Sequence, residues 1–332
     1  MKKAGRKLKK ICPFCGHKMI KYGTAKSGNQ IWRCNHCSKS KVFKRKDIKN
    51  KKWIERYIDF VLCIKTIKDF NCSRSNFDFN TSQLKYVNIA PPPVLTIYKQ
   101  IHVDGIRISK CTYYLIASDG KYVISWHKCK SECAKTWVDF LRIIPAPNYV
   151  VSDGQKGLMF ALDLCWNHTK IQRCQFHVML NCRQKLTLNP QTEMGKELKY
   201  LVSLLNVTNT PNKVKAWGNY LFMLGTKFKS YLQEKTYQEN GKWEYTHRRD
   251  RSCYYQLVKL FKSGELFRYV YELGFKVGRT SNSIEGGINS RIKDLIRRHR
   301  GADDATKCKI VELYLLTRVK GVKLSDLPKR FR

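Results

Sequence analysis

A chain of 332 residues with 65 Lys+Arg against 25 Asp+Glu, a formal charge of +40, is too long for one small core and strongly self-repelling. The excess points to a polyanionic partner, and nucleic acid is the expected one. There is no apolar run of about 18 residues, and residues 1–10 lead into no apolar h-region, so neither a membrane span nor a secretory leader is expected. A reduced cytoplasmic setting suits 14 cysteines if some of them bind metal.

The first legible element is a pair of knuckles, Cys12-x2-Cys15 and Cys34-x2-Cys37. This spacing matches a four-thiolate tetrahedral site for one structural zinc ion. Residues 19–23 and 30–33 read as the two strands of a zinc ribbon, within a module placed at residues 1–43. So small a module lacks core, so the metal is expected to supply its folding energy. His17 and His36 read as surface neighbours, since four thiolates complete the site. The dense Lys and Arg suggest phosphate contact, with Trp32 and Arg33 as candidates.

Residues 44–97 are expected to be helical. Trp53, Ile54, Tyr57, Ile58, Val61 and Leu62 make a helical stripe within 51–68, and a second short helix is expected over 81–86. The pair reads as a helix-turn-helix or a packed helical linker, closed by Pro91-Pro92-Pro93.

Three strands follow, over 100–106, 112–117 and 121–126, rich in β-branched and aromatic residues. Asp119-Gly120 predicts a two-residue hairpin turn between the last two. A helix over 131–144 with Ser131 as N-cap, a buried strand at 149–152, a helix around Leu158–Cys165 and a fifth strand over 170–176 complete a β-β-β-α-β-α-β order. That order predicts an α/β fold, a mixed sheet flanked by helices. Residues 181–275 show helical stripes and no strand run. They read as an all-helical insertion with a basic patch at Arg248 and Arg249. Trp217 and Trp243 are expected to be core residues. Residues 281–297 return to an amphipathic helix with Ile284, Ile288, Ile292 and Leu295 inside and Glu285 beside them.

The chemistry lies in carboxylates. Asp104 interrupts an apolar strand, Asp153 follows the fourth strand and Glu285 starts a late helix. With the first and fourth strands adjacent, the aspartates meet at one edge, and a helix laid across it adds Glu285. Clustered carboxylates repel unless cations hold them, and hard oxygen ligands suit two Mg²⁺ or Mn²⁺ ions. Such a pair, about 3.5–4 Å apart, serves phosphodiester transfer. Asp119 reads as a turn residue, Asp163 as solvated, and Asp303-Asp304 as a helix N-terminus.

Val103-Asp104-Gly105, Ser152-Asp153-Gly154, the Cys174-x2-His177 pair and Ser281-Asn282-Ser283-Ile284-Glu285-Gly286-Gly287 together resemble bacterial insertion-sequence transposases of the Mutator-like superfamily. The resemblance implies a ribonuclease H-like catalytic core over 98–180 and 276–332, interrupted by the insertion. It also implies a DDE triad of Asp104, Asp153 and Glu285, with Cys174 and His177 supporting the site. The implied partners are terminal inverted repeats and target DNA, bound by a homodimer or larger assembly at the bacterial nucleoid. The competing readings are a non-catalytic zinc-ribbon DNA-binding protein and a structure-selective nuclease on the same fold.

Overall fold

The computed structural model describes residues 10–25, 29–42, 46–272, 278–281 and 283–331. Residues 1–9, 26–28 and Asn282 of the motif above lie outside them. The ribbon contains β1 (Met19–Thr24), β2 (Gln30–Cys34) and a third antiparallel strand, β3 (Ser40–Val42), which the sequence reading does not anticipate. Its buried side chains are Cys12, Met19 and Cys34, with Trp32 packed on them.

Helix α1 (Lys46–Val61) buries Tyr57, Ile58 and Val61. It ends earlier than its stripe suggests, because Cys63 turns left-handed at φ 56°. The second helix also departs from the prediction. It forms as α2 (Arg74–Thr81), started by Ser73, whose hydroxyl accepts from the Asn76 amide at 3.2 Å. Residues 84–86 make only a single 3₁₀ turn.

The central sheet comprises β4 (Gln100–Ser109), β5 (Thr112–Ser118), β6 (Val123–Cys129), β7 (Tyr149–Ser152) and β8 (Lys170–Arg173), in the order β6-β5-β4-β7-β8. The first three strands are antiparallel, and β7 and β8 run parallel to β4. The β5–β6 connection is longer than the predicted two-residue turn. Asp119 Oδ1 accepts from the Lys121 and Tyr122 amides at 2.8 and 2.6 Å, and this side-chain cap sustains a wider loop in which Gly120 takes φ 94°. Helix α3 (Ala134–Leu141) begins at Cys133, not Ser131, because Thr136 Oγ1 accepts from the Cys133 amide at 3.1 Å and sets the first turn there. Helix α4 (Lys156–Cys165) follows β7.

Alternation along the strands sorts the core into two faces. Ile101, Val103, Leu115 and Ala117 pack with Trp137, Phe140, Leu158 and Leu162 on the α3–α4 side. Ile106, Tyr114 and Ile116 pack on the other side with Tyr57, Phe77, Ile284, Ile292 and Leu316. Asp104 shares parity with Ile106 and pairs with Ile116, so it belongs to the second face.

The chain after β8 is helical at once. The expected strand over 170–176 stops at Arg173, and α5 (Gln175–Leu186) begins beyond Cys174. Helices α6 (Glu193–Ser203), α7 (Pro211–Lys227) and α8 (Lys229–Gln233) follow. The insertion is not all helical: β9 (Lys235–Tyr237) and β10 (Trp243–Tyr245) form an exposed antiparallel hairpin, with no strand run long enough to signal it. Helices α9 (Arg248–Lys262) and α10 (Arg268–Tyr271) close the unit around buried Trp217, Leu221, Leu224 and Leu257.

The expected helix at 281–297 divides into a π-helix, Ser283–Asn289, and α11 (Ser290–Arg298). All four predicted inner residues, Ile284, Ile288, Ile292 and Leu295, are buried. Helix α12 (Asp304–Thr317) is capped by Asp303, whose carboxylate accepts from the Thr306 amide at 2.8 Å. Within α12, Lys309 pairs with Glu312 at 2.5 Å while both are buried, and Tyr114 donates to Glu312 at 3.0 Å. Lys309 also donates to the Val87 carbonyl, tying the helical segment before the sheet to α12.

Candidate active site and metal centres

Asp104 stands mid-strand, where burial is costly for a charge. Its Oδ1 accepts from the Gly105 amide at 3.0 Å and its Oδ2 from Asn289 Nδ2 at 2.8 Å. Burial first, then the negative charges of Asp153 and Glu285, push its carboxyl up to about 7, against the lowering influence of His177 and the Gly105 amide. Asp153 follows the neighbouring parallel strand. The β4–β7 register pairs His102 with Val151, and two further places bring Asp104 level with Asp153. Asp153 Oδ1 accepts from the Gln155 amide at 2.9 Å, bracing a turn in which Gly154 has φ 84°. That positive φ favours glycine, and a Cβ at Gly154 would also displace Arg173, whose Nη1 it would meet at 1.3 Å.

Glu285 rides the π-helix, anchored by buried Ile284 and Ile288. Its Oε2 lies 3.7 Å from His177 Nε2 and, among the described residues, has no hydrogen-bond donor. His177 sits one turn into α5 beside Cys174, and interaction with that thiol, then the charges of Glu285 and Asp153, raise it to about 9 in spite of burial. Cys174 is fully buried. Its amide donates to the Ser152 carbonyl at 2.8 Å, and its sulfur accepts from both the amide and the hydroxyl of Ser281 at 3.3 Å. Burial alone would raise this thiol, but hydrogen bonding with His177 and Ser281 carries it below its ordinary value. Cys174 thus joins the strand end that precedes Asp153 to the segment that precedes Glu285.

Of the three predicted carboxylates, Asp153 and Glu285 lie near enough to Asp104 for their charges to raise it. Their oxygens do not all lie within 4.8 Å of each other; among the described residues only sets of cysteine and histidine do so. Two neighbours escape the sequence reading. Glu132, in the loop before α3, lies over Gly105, where a Cβ would meet its Oε1 at 2.5 Å; burial and then Asp153 raise its carboxyl. A lone loop acid carries no periodic signal. Asn289 does leave a trace, as a polar residue beside the stripe of Ile284, Ile288 and Ile292.

The cysteine centre is compact. Sulfurs of Cys12, Cys15, Cys34 and Cys37 all lie within 4.8 Å, with Cys12–Cys37 at 3.5 Å and Cys15–Cys34 at 3.4 Å. Tetrahedral thiolates at about 2.3 Å from zinc would stand about 3.8 Å apart, so the donor set fits that ion. Each knuckle ends in a left-handed residue, Gly16 at φ 72° and Ser38 at φ 56°. The backbone amides of Cys37 and His36 favour the thiolate of Cys34 against burial and lower it to about 6. His17 and His36 stack outside, 3.8 Å apart.

The predicted DNA contacts are less uniform. Arg33 lies 4.7 Å over the Tyr22 ring, and Trp32 packs on the cysteines. Arg248 and Arg249 are both exposed, and Arg248 pairs with Glu244 at 2.6 Å. Trp217 is core as predicted, its indole donating to the Leu201 carbonyl at 2.9 Å. Trp243 is not: it is 45% exposed on the hairpin, with Lys235 Nζ 3.8 Å over its ring.

Residues 94–238 match the family described as Transposase, Mutator family. This segment, a little under half of the chain, is therefore similar to Mutator-family transposases. The matched segment contains Asp104, Asp153, Cys174 and His177, and Glu285 lies beyond it. No curated protein matches the chain. Among the described residues no helix is long and apolar enough to cross a membrane.

Proposed function

We propose that this transposase domain belongs to a ribonuclease H-like enzyme that binds the terminal inverted repeats of an insertion sequence, cuts there and joins the ends to target DNA. The observation that carries this reading is that Asp153 and Glu285 lie near enough to Asp104 to act on it: burial first, then their charges, push its carboxyl up to about 7. The sheet order β6-β5-β4-β7-β8 supports the fold assignment. Acceptors without donors, Glu285 Oε2 above all, suit Mg²⁺ or Mn²⁺. Bound there, two such ions would activate a water or a 3′-hydroxyl and stabilise the leaving oxygen.

The chain's own part is positioning. Asn289 and the Gly105 amide orient Asp104, and the Gln155 amide orients Asp153. His177 stands as a cation against Glu285, and Cys174 fixes the two segments that carry Asp153 and Glu285. The ribbon, holding one zinc ion and carrying the half-buried Arg33, and the exposed Arg249 would grip the DNA backbone; each phosphate neutralised steepens log K against log salt by about 0.9.

The test is cleavage and joining of a plasmid that carries the element's ends. Asp104→Asn, Asp153→Asn and Glu285→Gln are each expected to abolish magnesium-dependent cleavage while the protein still shifts end DNA. Full cleavage by any one of them removes that residue from the triad. Cleavage of branched DNA without joining would instead favour a nuclease.

A further inference from the structure

Asn289 closes the π-helix and is 3% exposed. Its Nδ2 donates to Asp104 Oδ2 at 2.8 Å, across 185 positions of sequence. Its Oδ1 is buried and, among the described residues, receives no hydrogen bond. A buried carbonyl oxygen without a donor is costly, because its desolvation is not repaid. On a surface formed by Ile284, Ile288 and Ile292, an apolar side chain would avoid that cost.

The second acceptor in this state is close in the fold. Glu285 Oε2 is also buried without a donor, four residues earlier on the same π-helix. Wound with i→i+5 bonds, a π-helix keeps residues four apart on nearly the same side, and such turns recur at functional sites. Asn289 Oδ1 and Glu285 Oε2 therefore share one side of the helix with the Asp104 carboxylate against it. Oxygens that can only accept repel one another, and a hard divalent cation is the ligand whose chemistry satisfies them together.

We propose that Asn289 is a member of the cation site: its Nδ2 fixes Asp104, and its Oδ1 serves as an oxygen ligand, direct or through water, for a divalent metal ion. The proposal rests on the reading of Asp104, Asp153 and Glu285 as that site. It goes beyond that reading by adding an uncharged residue that both orients and ligates.

The experiment titrates Mn²⁺ into the full-length, zinc-loaded protein and follows free Mn²⁺ by electron paramagnetic resonance, with thermal melts and zinc content as folding controls. Asn289→Leu keeps the volume and removes both polar atoms. It is expected to weaken Mn²⁺ binding about tenfold or more, the scale on which groups that orient or support metal ligands act. Asn289→Asp keeps an oxygen and is expected to bind within about threefold of the parent chain. Asn289→Leu binding like the parent overturns the proposal, as does Asn289→Asp losing as much as Asn289→Leu. If Asn289→Leu does not fold, Asn289→Asp decides alone: retention supports the ligand role and a loss of about tenfold ends it. Asp153→Asn separates the levels. Should the parent bind no Mn²⁺ that Asp153→Asn abolishes, the whole site falls and Asn289 with it. Should Asp153→Asn lose binding while Asn289→Leu keeps it, only the role of Asn289 falls.

Discussion

The ribbon and the central sheet build their charged centres in opposite ways. In the ribbon, four sulfurs converge within 25 positions of sequence, and few side chains are buried around them. In the sheet, Asp104 and Asn289 meet across 185 positions, each on an element already fixed by a large apolar core. The ribbon would therefore depend on a bound metal for its fold, whereas the sheet has a core of its own and holds Asp104 at a cost. Removing the ligand from each should have opposite consequences.

The largest effect is expected at the zinc site. Chelation, or Cys34→Ser, should unfold residues 12–37, because structural zinc contributes about 10–16 kcal/mol to modules of this size. Hydrogen exchange should then show lost protection in β1 and β2 and unchanged protection in β4, β5 and β7. Elemental analysis should find one zinc per chain before treatment; protection that survives in the ribbon after the zinc is gone would overturn the dependence.

The counterpart in the body of the protein is Lys309. Its ammonium is buried against Glu312, so Lys309→Met leaves that carboxylate uncompensated and should cost about 3–5 kcal/mol in urea unfolding. Zinc content should not change. Lys309→Met with Glu312→Leu should recover most of the loss, since paired apolar replacement removes both desolvated charges.

The same contrast explains what could be read from the sequence. The ribbon is a local pattern, so spacing marked its four cysteines and the residues between them read as β1 and β2. Asp104 stands out because a carboxylate beside Val103 interrupts the strand's apolar run, and Asp153 because it ends the run Val150-Val151-Ser152. Glu285 was legible only by family resemblance and by its place beside the stripe of Ile284 and Ile288. Glu132 was hidden because its position depends on a loop folding back over Gly105, and nothing in its neighbours records that. Element ends were misplaced where a single side chain decides them: Ser73 starts α2, Thr136 sets the start of α3, and Asp119 widens the β5–β6 loop. The β9–β10 hairpin was missed because its short strands bury too little to impose alternation.

The next effect is one of pH and runs opposite to that at the ribbon. Asp104 titrates at about 7 in the folded chain and at 3.8 as a free carboxyl. Below the lower value both states are protonated and the group contributes nothing. As pH rises between the two values the unfolded chain ionises first, so stability falls, and above about 7 the full penalty applies. Without magnesium or manganese, Asp104→Asn should therefore stabilise the zinc-loaded protein at pH 8 by about 2–4 kcal/mol, and hardly at all at pH 4. Equal stabilisation at both pH values would mean that charge is not the cause.

The smallest effect separates packing from charge at the same place. Gly105 has no positive φ, so alanine is conformationally acceptable there, and what its methyl meets is the flexible end of Glu132. Gly105→Ala should change stability by less than about 1 kcal/mol, because a carboxylate can swing aside where backbone cannot. If Glu132 lies there only because the glycine leaves room, Glu132→Gln should leave the Mn²⁺ affinity of the site nearly unchanged. If its charge adds to the field at Asp153, both variants should weaken that affinity together. Loss in one and not the other would show that the contact at Gly105 and the charge of Glu132 are separate features of the site.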